Sequence, residues 1–344
     1  MTLNASGPIS LAGTTAGQSI EIELGGAGTT QIGLNCTTVR TLAGVPSGAI
    51  VMPTNFYGKS NAVVQGTFYG GYTTAASNLV TRINACGALV GSQTSVGTAR
   101  YCLAGAKVGA NGLFYGGCAG SSSNLVTRIN ACGALVGSQT SVGTARDALA
   151  GATVGANGLF YNGTGGCYTL VTRINACGAL VGSQTNVGTG RYELAGATVG
   201  SNGLFYGGAN PCSCCFTSVN LVTRINACGA LVGSETNVGT TRAALAGAKV
   251  GANGLFYGGY CACSGISNLV TRINACGALV GSQTSVGTAR DNLAGATVGA
   301  NGLFYGGYAS GVSNLVTRIN ACGALVGSQT NVGTARFGSA GAGS

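Results

Sequence analysis

The organisation of this chain follows from one repeated stretch, Asn78-Leu-Val-Thr-Arg-Ile-Asn-Ala-Cys-Gly-Ala-Leu-Val-Gly-Ser92. Five further copies begin at Asn124, Thr169, Asn220, Asn268 and Asn314. Each copy leads to an arginine, and these arginines lie 45 to 51 residues apart: Arg100, Arg146, Arg191, Arg242, Arg290 and Arg336. Strand-like repeats of about 40 to 50 residues are typical of propeller blades, in which each repeat folds as one four-stranded sheet.

The inner half of a repeat is read from the copy that follows Arg100. Leu103–Val108 can alternate its side chains between two faces, as a strand does. Asn111-Gly112 is a strong hairpin signal because both residues tolerate positive φ. The run Leu113-Phe-Tyr115 is β-prone, and Gly116-Gly117 ends it. Two antiparallel strands are therefore expected.

The outer half of the same repeat predicts two more strands. Leu125–Ile129 alternates with a period of two. Asn130-Ala-Cys-Gly133 suits a type I turn, with Asn at its first position and Gly at its last. Ala134-Leu-Val136 is then expected to open a fourth strand that runs toward Arg146. We find no helical periodicity of 3.6 residues in the chain, so the predicted fold class is all-β.

The order of these features resembles the kelch repeat, a β-propeller blade. The resemblance covers residues 60–336 and implies a six-bladed kelch-like β-propeller. The Gly-Gly doublets that end the aromatic runs are Gly70-Gly71, Gly116-Gly117, Gly207-Gly208, Gly258-Gly259 and Gly306-Gly307. The third copy has Asn162-Gly163 instead, and the chain lacks the tryptophan that kelch repeats usually carry on the last strand. A β-solenoid is the alternative fold, although its coils are usually about half as long.

Residues 1–59 contain no copy of the repeat and are predicted to form a small N-terminal β module. The strands expected in it are Ser10–Gly13, Ile20–Leu24, Gln31–Asn35 and Val39–Val45. The stretches 7–11, 39–50 and 55–60 resemble N-terminal segments of tailed-bacteriophage virion proteins. That resemblance implies a docking module for other virion proteins, and the alternative is an ordinary cap on the propeller. Residues 337–344 are expected to be a C-terminal tail or a closing strand.

The charge of the chain is low in density but positive in sign. Only 6% of the residues are charged, and the net charge is +10. Twelve of the sixteen basic residues are two arginines per repeat, such as Arg82 and Arg100, so propeller symmetry spreads them into rings. We expect these arginines to donate hydrogen bonds to backbone carbonyls between blades. A nucleic-acid partner would instead need a clustered basic stripe, usually with stacking aromatic side chains.

The predicted location is a virion, made in the host cytoplasm and released by lysis. The first residues lack the basic start and apolar core of a signal peptide. No apolar run reaches the roughly 18 residues of a membrane-spanning helix. Fifteen cysteines are nevertheless many for a protein that stays in the cytosol.

The six copies differ most from one another in two places, the segment after Gly-Gly and the pair after each arginine. In an antiparallel blade both connections fall on one face of the disc, here named the variable face, and the repetitive turns fall on the other, the constant face. Such an asymmetry is typical of a binding face on a fixed scaffold, and free drift of loops after duplication is the alternative. The predicted binding residues are Tyr72, Tyr101, Asp147, Tyr168, Tyr192, Glu193, Phe216, Tyr260 and Asp291.

The cysteines divide between the same two faces. Those predicted to form disulfides within or between variable loops are Cys102, Cys118, Cys167, Cys212, Cys214, Cys215, Cys261 and Cys263. Those predicted to be free thiols or bonds to another chain are Cys36, Cys86, Cys132, Cys177, Cys228, Cys276 and Cys322. The six constant-turn cysteines are expected to lie too far apart to pair within one ring. Metal binding is the alternative for Cys212-Ser-Cys-Cys215 and Cys261-Ala-Cys263, but Cys-x-Cys spacing suits zinc poorly.

Catalysis, a metal and a cofactor are not expected. The chain has no histidine and only six acidic residues, two of them in residues 1–59. Asp147 and Asp291 belong to blades that face each other across the disc. Asp147 and Glu193 open adjacent blades and are the only pair that could act as two close carboxylates.

The sequence therefore predicts a non-enzymatic bacteriophage structural protein: a fibre, collar, tail or capsid accessory component. It would brace the particle or bind a host-surface glycan or protein through the variable face, as a homo-oligomer or in many copies. The expected partners include no nucleic acid, and no membrane span is expected. The alternative function is a cytoplasmic kelch-type adaptor that binds a partner protein.

Overall fold

A computed structural model describes residues 64–164, 168–210 and 217–343, and within the first 63 residues it describes 3, 5–6, 8–11, 15, 18–24, 34, 37–45, 49–52 and 54–56. The chain divides into two compact units, residues 1–63 and 64–344. The larger unit confirms the predicted fold, because it is a six-bladed β-propeller.

Each blade is a four-stranded antiparallel sheet. From the innermost strand outward, the strands are Ala340–Ala342, Gln65–Tyr69, Leu79–Asn84 and Thr94–Ser95 in blade 1; Ala104–Val108, Asn111–Tyr115, Leu125–Ile129 and Thr140–Ser141 in blade 2; and Ala150–Val154, Asn157–Tyr161, Leu170–Ile174 and Thr185–Asn186 in blade 3. They are Ala195–Val199, Asn202–Tyr206, Leu221–Ile225 and Thr236–Asn237 in blade 4; Ala246–Val250, Asn253–Tyr257, Leu269–Ile273 and Thr284–Ser285 in blade 5; and Ala294–Val298, Asn301–Tyr305, Leu315–Ile319 and Thr330–Asn331 in blade 6. Blade 1 takes its innermost strand from the C-terminal end of the propeller, in antiparallel register with Thr67–Tyr69.

Glycine lets the six innermost strands approach one another around the axis. A Cβ atom on Gly105 would lie 2.4 Å from the carbonyl oxygen of Gly341 in the preceding blade. The same relation, at 2.3 to 2.5 Å, holds for Gly151, Gly196, Gly247, Gly295 and Gly341. Any larger residue would therefore push neighbouring strands apart, which explains why this position is invariant among the six copies.

The apolar core lies between adjacent blades. Ala104, Ala106 and Val108 of blade 2, for example, pack with Phe160 and Ile174 of blade 3. At each of the six blade junctions a tyrosine and a phenylalanine ring lie 5.1 to 5.3 Å apart, a favourable aromatic spacing. These pairs explain how the blades pack in a chain without tryptophan.

One turn and one strand inside the blade differ from the prediction. The inner hairpin of blade 2 turns at Gly109 and Ala110, whereas Asn111 and Gly112 already lie in the second strand. Gly109 has a φ of +58°, so glycine at the first central position supplies the left-handed turn. The predicted outer strand at 134–136 is also wrong, because Leu135 forms only an isolated bridge and the strand begins at Thr140.

The buried arginines join neighbouring blades, as the sequence predicted. Arg146 keeps its backbone on blade 2, where its N–H donates to Ser123 O at 2.9 Å. Its guanidinium donates to the carbonyl oxygens of Asn162 and Leu170 in blade 3, at 2.7 and 2.8 Å. Burial lowers the pKa of this guanidinium, and the nearby Tyr115 ring, 5.8 Å away, partly offsets that effect.

The smaller unit has helices where strands were predicted. Among its described residues, the elements are the α-helices Ile20–Glu23 and Thr37–Ala43 and the 3₁₀ helix Thr54–Phe56. Val39, Leu42 and Ala43 recur at helical spacing and are buried with Leu3 and Ile20.

Gly44 ends the second helix with a φ of +74°, and its N–H donates to Thr41 O at 3.1 Å. The strands expected at 20–24 and 39–45 are therefore wrong, because the apolar spacing there follows a helical turn. The strand expected at 31–35 lies largely outside the described residues. No helix in the described parts of the chain is long and apolar enough to cross a membrane.

Candidate functional site

The two variable segments of a blade meet on one face of the propeller. Backbone bridges join the residue after the arginine to the first residue after Gly-Gly in five blades: Phe337 to Tyr72, Tyr101 to Cys118, Tyr192 to Ala209, Ala243 to Tyr260 and Asp291 to Tyr308. In blade 3 the Thr164 N–H donates to Asp147 O at 2.8 Å in the same way. The variable face is therefore a continuous ring of paired segments.

A closed ring of backbone hydrogen bonds holds the centre of this face. The N–H of Cys102 donates to Gly338 O, and each following blade repeats the contact with the blade before it, at 2.7 to 2.8 Å. The six participants all have φ between +50° and +63°: Cys102, Ala148, Glu193, Ala244, Asn292 and Gly338. Left-handed backbone is costly for residues other than glycine, so the ring holds these five in place through the contacts between blades.

An aromatic row crosses the variable face from blade 2 through blade 1 to blade 6. The ring centroids of Tyr101 and Tyr72 lie 5.1 Å apart, those of Tyr72 and Phe337 5.4 Å, and those of Phe337 and Tyr308 6.4 Å. Tyr308 is 42% exposed, and the other three rings are half-buried. Aromatic rings in such a row offer apolar contact area at low entropic cost.

Three of the four acidic residues of the propeller lie on the variable face. Asp147 accepts hydrogen bonds from Ser122 at 2.7 Å and from Thr164, so it links the loops of blades 2 and 3. Burial raises the pKa of Asp291, whose carboxylate accepts a bond from the Asn292 side chain at 3.2 Å. Burial, and secondarily the charge of Asp291, raise the pKa of Glu193 to about 7.

The carboxylate whose charge adds to the raised pKa of Glu193 is that of Asp291. Asp147 and Glu193, the pair expected from the sequence, both contribute to the raised pKa of the Cys102 thiol. The described residues contain no cluster of three or more His, Cys, Asp or Glu side chains that could hold a metal ion. The arrangement can present aromatic, hydroxyl and carboxylate groups to a partner.

The remaining predicted residues are distributed around the same face. Tyr168 is half-buried near Arg146. A negative charge on the Tyr168 phenol oxygen would raise the pKa of the Arg146 guanidinium. Tyr192 is half-buried, and burial raises its pKa, with a further contribution from Glu193. Tyr260 begins a short extra hairpin, Tyr260–Cys261 with Gly265–Ile266. A second extra hairpin pairs Ala209–Asn210 with Thr217–Ser218. Phe216 lies outside the described residues.

The described cysteines are free thiols. Four disulfide candidates, Cys102, Cys118, Cys261 and Cys263, carry no disulfide. The other four disulfide candidates lie outside the described residues: Cys167, Cys212, Cys214 and Cys215. Cys36 lies outside them too. Burial, and then the charges of Glu193 and Asp147, raise the pKa of the Cys102 thiol to about 12. The six constant-turn cysteines are exposed and free: Cys86, Cys132, Cys177, Cys228, Cys276 and Cys322.

Sequence reasoning missed two members of the aromatic row, Tyr308 and Phe337. The signal was present, because Tyr308 follows Gly306-Gly307 and Phe337 follows Arg336. The prediction of residues 337–344 as a tail or a closing strand sets them apart from the repeats, so it gives no reason to compare Phe337 with the residues after the other arginines. No protein-family model matches the chain, and a search of curated proteins finds no match.

Proposed function

We propose that this chain is a non-enzymatic structural protein of a bacteriophage virion, and that its kelch-like propeller binds a host-surface glycan or protein through the variable face. One observation carries the proposal. The six repeats are nearly identical at the constant face, whereas aromatic, acidic and cysteine side chains vary at the other. A rigid scaffold with diversity confined to one end is how many binding proteins are organised.

The geometry of the variable face supports a role in recognition. The ring of hydrogen bonds around Cys102 and Glu193 fixes the backbone before any partner arrives, and a fixed backbone reduces the ordering cost of binding. The row from Tyr101 to Tyr308 supplies the aromatic side chains that are enriched in interface cores.

Attachment to the particle is proposed for residues 1–59. Parts of this segment resemble virion proteins, and residues 1–63 form a compact unit with a small core of their own. In this proposal the unit docks on other virion proteins and displays the propeller in many copies.

The test uses the purified full chain and intact cells of the host bacterium. Tyr72→Ser combined with Tyr308→Ser should weaken binding to cells at least tenfold, because it removes two members of the aromatic row. The matched control, Leu135→Ser with Leu279→Ser, changes two exposed apolar side chains next to the constant turns and should bind normally. Equal binding by both variants and the native chain would refute recognition through the variable face.

A further inference from the structure

The six innermost strands enclose a central channel with a cavity volume of about 680 Å³. Residues of the inner hairpin turns, such as Gly251 and Gly299, line it as well, so it opens toward the constant face. This volume lies within the range of small-molecule sites, about 300 to 1,000 Å³. Glycine, alanine and threonine make up the lining, apart from two lysines, Lys107 and Lys249.

The two lysines occupy equivalent positions in opposite blades. The innermost strands are neighbours in the order of blades 1 to 6, and the sixth returns to the first. Lys107 belongs to blade 2 and Lys249 to blade 5, three steps apart in a ring of six. The two ammonium groups therefore enter the channel from opposite sides of its axis.

In blades 3, 4 and 6, threonine occupies the position of these lysines and stabilises the contact between neighbouring innermost strands. The Thr153 hydroxyl donates to Lys107 O at 2.7 Å and accepts from Lys107 N at 3.0 Å, so it satisfies the free backbone edge of the neighbouring strand. Thr198 makes the same two contacts to Thr153, at 2.7 and 3.0 Å. Thr297 makes them to Lys249, at 2.9 and 3.0 Å.

Lysine cannot reproduce this contact. An ammonium group donates hydrogen bonds but accepts none, so it cannot take the bond from a backbone N–H. At two of the six positions a scaffold contact has thus been replaced by a cation. A structural role in the fold therefore does not explain the two lysines.

The channel lining contains no acidic side chain to neutralise them. Within the propeller, Asp147, Glu193 and Asp291 lie at the variable face, and Glu235 lies 4.0 Å from Arg191. Burial lowers the pKa of Lys107, as expected for a cation drawn out of water. An anion between the two ammonium groups would offset the desolvation of Lys107 and supply the counter-charge that the lining lacks.

We propose that the central channel binds a small polyanion, a molecule with phosphate or carboxylate groups at two ends, held between the ammonium groups of Lys107 and Lys249. This site lies toward the constant face and is independent of the proposed binding by the variable face.

The experiment titrates the full chain with pyrophosphate, inorganic phosphate and citrate by calorimetry, in chloride buffer at constant ionic strength. The double variant Lys107→Thr with Lys249→Thr carries the residue found in blades 3, 4 and 6. It should melt at or above the temperature of the native chain without anion, and its affinity for pyrophosphate or citrate should fall at least tenfold. The affinity of each single variant should lie between those of the native chain and the double variant. Tighter binding of pyrophosphate indicates a phosphate ligand, and tighter binding of citrate indicates a carboxylate ligand.

The matched control is Arg82→Thr with Arg224→Thr, which removes two charges from opposite blades away from the axis. The Arg82 guanidinium is half-buried and donates to Ala131 O at 3.3 Å. This control should bind the anions as the native chain does. Equal weakening in both double variants, or no binding of any of the three anions by the native chain up to millimolar concentration, would overturn the proposal.

Discussion

Nη1 of Arg336 donates a hydrogen bond of 2.8 Å to the carbonyl oxygen of Gly70, 266 positions earlier in the chain. The backbone of Arg336 stays on blade 6, where its carbonyl accepts from the Gly307 N–H at 2.8 Å. The Arg336 side chain is fully buried, and Nη1 also donates to Leu79 O at 2.7 Å. One residue thus joins the last blade to the first, by the contact that joins every other pair of neighbours.

We expect Arg336→Met to lower the free energy of unfolding by about 3 kcal/mol, because it leaves two buried carbonyl oxygens without their charged donor. Arg82→Met, which removes a longer bond at a half-buried site, should cost less than about 1 kcal/mol. Urea denaturation followed by circular dichroism measures both. Similar losses in the two variants would contradict the structural role assigned to the buried arginine.

Glu235 replaces a glutamine that the other five repeats share. It accepts hydrogen bonds from the Thr189 hydroxyl at 2.6 Å and from the Thr189 N–H at 3.2 Å. In blade 2, Gln139 accepts the corresponding bonds from Thr98, at 2.9 and 3.0 Å.

We therefore expect Glu235→Gln to change stability by less than about 1 kcal/mol, while Glu235→Ala costs about 2 kcal/mol, because it removes the acceptor of the fully buried Thr223 hydroxyl. Thermal unfolding of the two variants separates these outcomes. A large loss in Glu235→Gln would show that the ion pair with Arg191 matters more than the hydrogen bonds.

The carboxyl group of Glu193 predicts a pH dependence of stability. Its pKa rises from the usual 4.5 to about 7 in the folded protein, so between these values the folded state binds more protons than the unfolded state. Stability contributed by the protonated carboxyl is complete below about pH 4.5 and is lost as the pH rises through 7.

Glu193→Gln should remove this loss and melt higher than the native chain at pH 8, by an amount that corresponds to about 1 to 2 kcal/mol. Glu193→Ala, which carries the residue found in blades 3 and 5, should also flatten the profile. Melting curves from pH 4 to 8 test this, and an unchanged slope in both variants would contradict it.

The thiols should differ in reactivity according to their exposure and pKa. A thiolate is the reactive species, so the raised pKa of Cys102 predicts slow alkylation. The exposed constant-turn cysteines, such as Cys86 and Cys132, should react first.

A short iodoacetamide pulse at pH 8, followed by trypsin and mass spectrometry, reads Cys102 in the peptide 101–107, which is unique in the chain. The same pulse in guanidinium should abolish the difference. Equal labelling of Cys102 and the constant-turn peptides in the native state would contradict the prediction.

The repeat allowed much of the propeller to be predicted from sequence. Each copy carries the same strands and the same arginine, so an error of interpretation in one copy is checked by five others. The hairpin turn was misplaced because Asn111-Gly112 is the stronger local signal, whereas the blade places glycine at 109. Residues 1–63 are not repeated and offer no such check, and the strand predicted at Val39–Val45 overlaps the short helix Thr37–Ala43.

The variable face could be located but not described from sequence. Copy-to-copy differences mark its segments, yet nothing in Cys102, Ala148 or Ala244 indicates left-handed backbone. Hydrogen bonds between blades impose that conformation. The donor and the acceptor of each bond lie in different repeats, so a single repeat does not show the bond. The channel site cannot be predicted from a single repeat for a similar reason, since only the closed ring shows that Lys107 and Lys249 lie opposite each other.

Deletion of residues 1–59 tests the proposed docking role. The repeats and the closing strand Ala340–Ala342 all lie in residues 64–344, so we expect the deletion to leave a folded propeller with an unchanged β-type circular dichroism spectrum and a cooperative melt. That propeller should bind host cells as the full chain does, because the variable face is intact. It should not be incorporated into phage particles, which a complementation assay with purified particles measures. A matched control with scattered Ser and Thr substitutions in exposed propeller loops should be incorporated normally. Normal incorporation of the folded truncation would refute docking through this segment.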